Sequence, residues 1–536
     1  MAFGDLKSAP GELLSENKAI VDTLAGYGFD VFKHVSLYEL IQPKSAQYDS
    51  TATACRVLCE NYHQQVITKG TPQYTVWRSQ FWSQQQSEVK PACVFEPTSS
   101  AQVAVVLLLV RMLHCQFSVK SGGHAAFANS SSIPDGVTID LGQLNTIELS
   151  SDRTRVKVGA GNRWVDVYNE LAPKGVTAVG GRVADIGVGG LMLGGGISFY
   201  SAQYGFACDN VNSFEVVVAD GRILHVSPKS HPSLYWALRG GGNNFGIVTE
   251  FNLATYPAGD LWAGSRIYDV NESTKEAVLD AVIKFGHESP TDPKAAMICN
   301  FVYSEDQFFM AVNLEYTEPV VNPPIFESFR KIPQVADSMD IKTLPEVTLE
   351  FRAVNPDGLR ESYWTSTVRL DTEMLTFAAN SFMAGVEPIK NVPGILPTTS
   401  YQILTSDMIE KTSEKNGPNA LGLDPREGPL LLVLVSVMWA SEADDEAVLE
   451  AVAGIINSIR REARSRNMLN DFIYMNYASQ FQSVVESYGP ANQKRLIEVA
   501  RRYDPSCVFQ TLQPGYFKLT GAPDPNPPIS SLSAKL

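Results

Sequence analysis

Residues Ser118–Phe127 read SVKSGGHAAF: an apolar run, two bare glycines, then at once an imidazole. Gly-Gly alone is ordinary turn material. A backbone without side chains directly before a titratable nitrogen also suits a main chain that must pass close to a ligand. The flanking segments have to decide between the two. Upstream, PACVFEP is a short strand closed by Pro97, and TSSAQVAVVLLLVRML carries a Thr or Ser cap with helical spacing of its apolar residues. Downstream, GVTIDL and RTRVKVGAG are strands, and RWVDVYNELAPKG is an amphipathic helix closed by Gly175. SFEVVVADGRILHVS is a hairpin turning at Asp220-Gly221, HPSLYWALRGGG a short helix, and FGIVTEFNL a last strand. Strands and helices thus alternate from about 90 to 258.

The chain has 536 residues, too many for a single core, and a formal net charge of −15 without a long basic run. Nucleic acid is excluded as a partner, because neutralising phosphates needs clustered Lys and Arg. The longest apolar runs, Val103–Val110 and Leu430–Val435, fall far short of a membrane span, so no membrane partner is expected. The opening MAFGDLKSAPGELL lacks the apolar centre of a signal peptide. An intracellular location is therefore expected, with secretion the alternative if a leader has been removed. The sequons at Asn129 and Asn271 matter only in that second case. Seven cysteines without a repeated CxxC suggest neither a zinc site nor a disulfide framework. Cys55 and Cys59, four apart, read as buried thiols on one helix face, and no metal is expected.

A second glycine block, GGRVADIGVGGLMLGGGISF, holds Gly180, Gly181, Gly187, Gly189, Gly190, Gly194, Gly195 and Gly196. Such density costs folding entropy and removes side chains from the core. Tight packing explains it in part. A backbone approaching a ligand, with successive N–H groups cradling a diphosphate, explains it better. RGGGNNFGIVTEF repeats the theme at Arg239–Phe251. Neither GAGNRW nor GVGGLM completes the Rossmann fingerprint, so a large cofactor would be held in another way.

Beyond residue 258, AAMICNFVYS, FFMAVNLEY and GPLLLVLVSVMW alternate between amphipathic helices such as DDEAVLEAVAGIINSIRREARS. This predicts an antiparallel sheet with helices on one face. The expected division is an N-terminal helical segment at 1–85, a cofactor domain at 86–258, a substrate domain at 259–465, a C-terminal segment at 466–520 and a mobile tail at 521–536. No Ser-His-Asp signature, HExxH or P-loop occurs. His225 and His231 read as surface histidines, and Asp209-Asn210 as turn residues.

Residues 90–258 resemble the FAD-binding domain of the vanillyl-alcohol oxidase and p-cresol methylhydroxylase superfamily. FIYMNYASQFQSVVESYGPANQKRLIEVARRYDPSCVFQ resembles the C-terminal segment of its berberine bridge enzyme branch, and NALGLDPREGPLLLVLVSVMW the substrate domain of fungal members. The resemblance implies an α+β fold, with a two-part FAD-binding domain and an antiparallel sheet covered by helices. It implies FAD contacts from Lys120, Ser121, Gly122, Gly123, His124 and Ala125 in the first loop. Asp185, Ile186, Gly187, Gly189, Gly190 and Gly194 follow in the second loop, and Gly246, Ile247 and Val248 in the third. From the C-terminal YMNYAS, it brings Asn476 and Tyr477 to the flavin.

In that family the histidine after the two glycines is bonded to the 8α-methyl of the flavin, so His124 is the expected attachment. Many relatives add a cysteinyl bond where this chain has Val183, so a single histidyl linkage is expected. The family's arginine before SGGH is Lys120 here, expected to face the diphosphate. Ile186 matches the position that influences oxygen access, leaning toward a dehydrogenase or serving only as packing. Tyr474 is the candidate catalytic phenol, either a base or a hydroxyl that lines the pocket. Relatives continue the motif with Arg-Asp where this chain has Ala478-Ser479, which leaves roles in the loop open.

The resemblance implies an FAD-linked oxidoreductase that takes two electrons from a small aromatic or polyketide-like metabolite, by hydride transfer to flavin N5. The alternatives are a flavin-dependent cyclase or isomerase, and a secreted carbohydrate oxidase of the same fold. Electron acceptor, with oxygen among the candidates, and oligomeric state stay open.

Overall fold

The computed structural model describes residues 10–34, 37 and 49–527. The first nine residues, and residues 528–536 of the tail expected to be mobile, lie outside the described residues. The helix Ser100–Met112 explains how the first half is organised. Its whole central run, Val103–Val110, is at most 1% exposed. A helix apolar on all sides needs cover on all sides. It packs against the strand Val137–Asp140 on one side and the strands Val211–Val217 and Ile223–Val226 on another, with the helices Pro10–Gly26 and Ser50–Tyr62 also against it. It is thus the filling between two sheets. The Ser99 side chain starts it by accepting from the backbone N–H of Gln102 at 3.3 Å.

The first sheet has four strands, in the order Val66–Thr68, Cys93–Phe95, Val137–Asp140 and Phe117–Lys120. The first pair is antiparallel and the other two are parallel. The N-terminal segment, expected to be helical, therefore also supplies an edge strand. The second sheet has six antiparallel strands built around the long strand Ile247–Pro257, which pairs with Arg155–Gly159, Val176–Ala178 and Val211–Val217. One hydrophobic core spans both sheets and takes in C-terminal residues from Phe472 to Leu519.

The third sheet has nine strands, all paired antiparallel. Its centre is formed by Leu261–Asp269, Gln307–Tyr316, Ala295–Ser304, Leu396–Leu404, Leu430–Trp439 and Arg360–Arg369. Side chains alternate between faces along each strand. On one face Cys299, Phe301, Val312, Tyr401, Val433 and Val435 share a second core with the helices Glu272–Glu288, Thr372–Val386 and Asp445–Ser465. Burying each large apolar side chain stabilises by about 1.5–3 kcal/mol, and a one-residue slip would turn the whole row over. Register is therefore fixed by the covered face. The opposite face looks back at the first two sheets. Among the described residues no helix is long and apolar enough to cross a membrane.

One expectation is corrected. Cys55 is disulfide-bonded to Cys93, and Cys59 is an exposed thiol rather than a buried one. Helical spacing sets Cys55 and Cys59 near each other, but the partner of Cys55 comes from the neighbouring strand. Alkylation of denatured protein without reductant should modify the five free cysteines, and all seven after reduction, read by peptide mass. Removing the bridge with Cys55→Ser should destabilise by about 2–4 kcal/mol.

Candidate functional site

The strand Phe117–Lys120 ends on a buried charge pair. Lys120 Nζ donates to Asp140 Oδ2 at 2.9 Å, and the Trp77 indole N–H donates to the same oxygen at 2.6 Å. Lys120, expected to face a diphosphate, is thus buried in an ion pair with Asp140. The chain then runs through Ser121-Gly122-Gly123 and meets the second glycine block main chain to main chain. A Cβ on Gly122 would lie 2.4 Å from the nitrogen of Gly187, and one on Gly187 would lie 2.3 Å from the nitrogen of Gly122. Ser121 staples the junction: its hydroxyl donates to the Ala160 carbonyl at 2.7 Å and accepts from Gly189 N–H at 3.2 Å. Arg163 donates to the carbonyls of Asp185 and Gly122, and Arg352 Nε pairs with the Asp185 carboxylate at 2.6 Å.

His124 follows directly. Its ring stacks on Trp82 with centroids 4.2 Å apart and 13° between planes, and Tyr363 meets the other ring of that pair edge-on at 5.4 Å. Burial, and then the Arg163 and Arg352 charges, push the His124 pKa down to about 3. The imidazole is neutral at any physiological pH and keeps a nitrogen lone pair.

The C-terminal segment returns at YMNY. The buried Tyr474 hydroxyl accepts from Gly196 N–H at 3.1 Å, Ile197 N–H at 3.0 Å and Asn476 Nδ2 at 3.1 Å. Asn476 Nδ2 also donates to the Leu191 carbonyl. Gly194 gives Asn476 its room, since a Cβ there would lie 2.0 Å from Asn476 Oδ1. Burial pushes the Tyr474 phenol up. Its oxygen is occupied in holding the second glycine block. Tyr477 is different. It is partly exposed, and its oxygen accepts from Arg182 Nη2 and from Gln402 Nε2 at 3.0 Å, while Arg182 Nη1 donates to Gln402 Oε1 at 2.7 Å. Both lone pairs are used, which leaves the hydroxyl proton for a further partner.

These groups border a cavity of about 800 Å³. One wall carries Ser121–Ala125, Ile186, Gly187, Gly189, Gly190, Gly246–Val248 and Tyr474–Tyr477. The opposite wall is the free face of the nine-stranded sheet, reached by alternate residues such as Asn300, Asn313, Thr398, Ser400, Gln402 and Ser436. Of the expected site residues, Lys120, Asp185 and Gly194 stand behind this wall and hold it. Val183 lines it, so the position of a second linkage offers no sulfur. Arg182, Gln402, Trp82 and Tyr363 were not anticipated. Only Arg182, directly after Gly180-Gly181, lay next to a recognised motif.

The wall fits an FAD. Gly190 has nothing within 4 Å of an added Cβ, so main chain faces open space there, beside the imidazole and a mostly apolar cavity. Residues Ser121–His124, Ile186–Gly190 and Gly246–Val248 would hold it.

Comparison with known proteins agrees. The FAD binding domain family model matches residues 91–227. An FAD-dependent monooxygenase of Cochliobolus heterostrophus is 34% identical over 452 residues, covering 82% of this chain and 87% of its own. Another, of Aspergillus calidoustus, is 31% identical over 494 residues, covering 90% of this chain and 93% of its own. Among solved structures, 6-hydroxy-D-nicotine oxidase from Arthrobacter nicotinovorans superposes with a TM-score of 0.69 at 21% identity, over 85% of this chain and 97% of that one. Physcomitrella patens BBE-like 1 reaches 0.71 at 17% identity, over 86% and 97%. These two carry the fold.

Tyr474→Phe removes the acceptor of two buried backbone N–H groups. It should destabilise by about 1–3 kcal/mol, read by denaturant unfolding, more than its lost hydroxyl would at a surface.

Proposed function

Because the chain belongs to the FAD-binding oxidoreductases of the vanillyl-alcohol oxidase superfamily, in its berberine bridge-like branch together with fungal FAD-dependent monooxygenases, we propose that its cavity holds one FAD through His124 and oxidises a small aromatic or polyketide-like secondary metabolite. The observation that carries this reading is an imidazole in the cavity wall, directly after two glycines of which the first, Gly122, touches Gly187 of the second loop. When bound, FAD supplies the acceptor for two electrons and the electrophilic 8α carbon.

The chain's own residues supply the rest. Trp82 fixes the imidazole plane by stacking, so its lone pair keeps one direction. Tyr474 and Asn476 hold the second glycine loop at its place in the wall. The substrate rests between that wall and the sheet, where Asn313, Ser400 and Ser436 offer hydrogen bonds among apolar neighbours. In its ionised form Tyr477 takes up the proton that the substrate gives up, on the oxygen to which Arg182 and Gln402 donate. This moves the acid–base role expected of Tyr474 to the second tyrosine of the motif.

The names of the curated relatives favour a second reading, in which one atom of O₂ enters the product. Product mass under isotope-labelled oxygen separates the two, since dehydrogenation leaves no label.

Acid precipitation should leave the yellow colour on the wild-type chain, with FAD on the peptide containing His124, and should release it from His124→Ala. Flavin extracted in full from folded wild type would remove the covalent linkage from this reading. During anaerobic mixing with aromatic and polyketide metabolites, Tyr477→Phe should slow flavin bleaching about a hundredfold or more. Tyr474→Phe should lower stability without that loss.

A further inference from the structure

Three polar side chains meet on the face of the nine-stranded sheet that borders the cavity. They are Asn313 on the strand Gln307–Tyr316, Asn300 on Ala295–Ser304 and Ser400 on Leu396–Leu404. Ser400 lies directly across from Asn300, and Asn313 lies one step along, two residues beyond Ala311, which pairs with Asn300. The bonds among them fix which way each amide points. Asn300 donates from Nδ2 to the Ala311 carbonyl at 2.9 Å, and a carbonyl only accepts. The Asn300 oxygen is therefore on the other side, where it accepts from the Ser400 hydroxyl at 2.6 Å. Asn300 Nδ2 also donates to Asn313 Oδ1 at 2.9 Å. That orients Asn313 in turn: its oxygen is taken, and its nitrogen lies on the far side of the amide.

Asn313 Nδ2 thus carries two N–H groups that donate to no described residue. The side chain is half-buried and lines the cavity. Around it Ile298, Ala311 and Ile267 line the same cavity and accept nothing. Building on the reading of this cavity as an oxidation site for aromatic metabolites, we infer that Asn313 determines specificity by donating to a carbonyl oxygen of the substrate. The substrate class is thereby narrowed to aryl ketones and quinones. Asn300 is the positioning residue that keeps the Asn313 nitrogen turned to the ligand. A substrate hydroxyl accepts too, but its own proton then needs an acceptor, and the Asn313 oxygen is taken. A donor left unpaired among apolar groups costs more than a made hydrogen bond returns. The site therefore discriminates chiefly against molecules that lack the oxygen.

The test reads binding and needs no turnover. Benzophenone and its methylidene analogue, in which a CH₂ group replaces the carbonyl oxygen, have the same outline. Their dissociation constants for the holoenzyme, read from perturbation of the flavin absorbance, should differ about tenfold to a hundredfold in favour of the ketone. In Asn313→Leu that ratio should fall to about one. In Asn300→Leu it should fall partway, because an amide that nothing holds presents oxygen as readily as nitrogen. Infrared spectroscopy gives a readout that packing alone does not move. The carbonyl stretch of bound, isotope-labelled benzophenone should lie lower in wild type than in Asn313→Leu or in cyclohexane, as a hydrogen-bonded carbonyl does.

Should Asn313→Leu not fold, the wild-type ratio and the wild-type band against cyclohexane still decide. Equal affinities in wild type, an unshifted carbonyl band, or binding of neither probe would overturn the carbonyl contact. An unchanged ratio in Asn313→Leu would overturn the role of this residue, and an unchanged ratio in Asn300→Leu the positioning. Failure of the oxidation reading shows separately, as flavin that no aromatic or polyketide metabolite bleaches while the ketone preference stands.

Discussion

Gly122 and Gly187 touch through their main chains, and neither position can carry a side chain without moving the other loop. That contact brings the end of a strand from the first sheet against the start of the second glycine block. Around it the other contacts fall into order. Ser121 reaches Gly189, Arg163 and Arg352 clamp Asp185, and Tyr474 reaches in from the far end of the chain to hold Gly196 and Ile197. Backbone hydrogen bonds and paired charges thus do at the loops what apolar packing does under the sheets. The cost is conformational entropy from many glycines, offset by contacts that a chain with side chains could not make.

Charge is handled in two ways near the cavity. Lys120 and Asp140 are buried as a pair, and losing either partner would leave an uncompensated charge. His124 is half-buried in the cavity wall and Glu315, on the strand Gln307–Tyr316, is fully buried, and both take their neutral forms. The imidazole loses a proton because two arginines and burial oppose its charge. The carboxyl keeps one because no donor meets it.

Much of this was legible in the sequence because it is local. The strands on either side of SGGH, the Ser99 cap, the Asp220-Gly221 hairpin and the alternation of the later strands each depend on residues a few positions apart. What could not be read depends on pairs far apart in the chain. The order of the nine strands is one case, and the Cys55–Cys93 bridge another. Tyr474, expected as a catalytic phenol or a hydroxyl lining the pocket, borders the cavity, but its acceptor duties lie in N–H groups more than 270 positions away, which no motif records. Lys120, expected to face a diphosphate, is paired instead with Asp140, twenty positions on. Glu315 sits in an alternating strand, where an acidic residue ordinarily reads as a solvated one.

The nine-stranded sheet separates two demands that most cores combine. Residues such as Phe301, Tyr401 and Val433 answer to the helices beneath, while Asn300, Ser400 and Leu434, their neighbours on the same strands, face the cavity. Selection can therefore rewrite every second letter of these strands without disturbing the letters between. A relative about a third identical to this chain can thus keep the covered rows while the rows that face the cavity change.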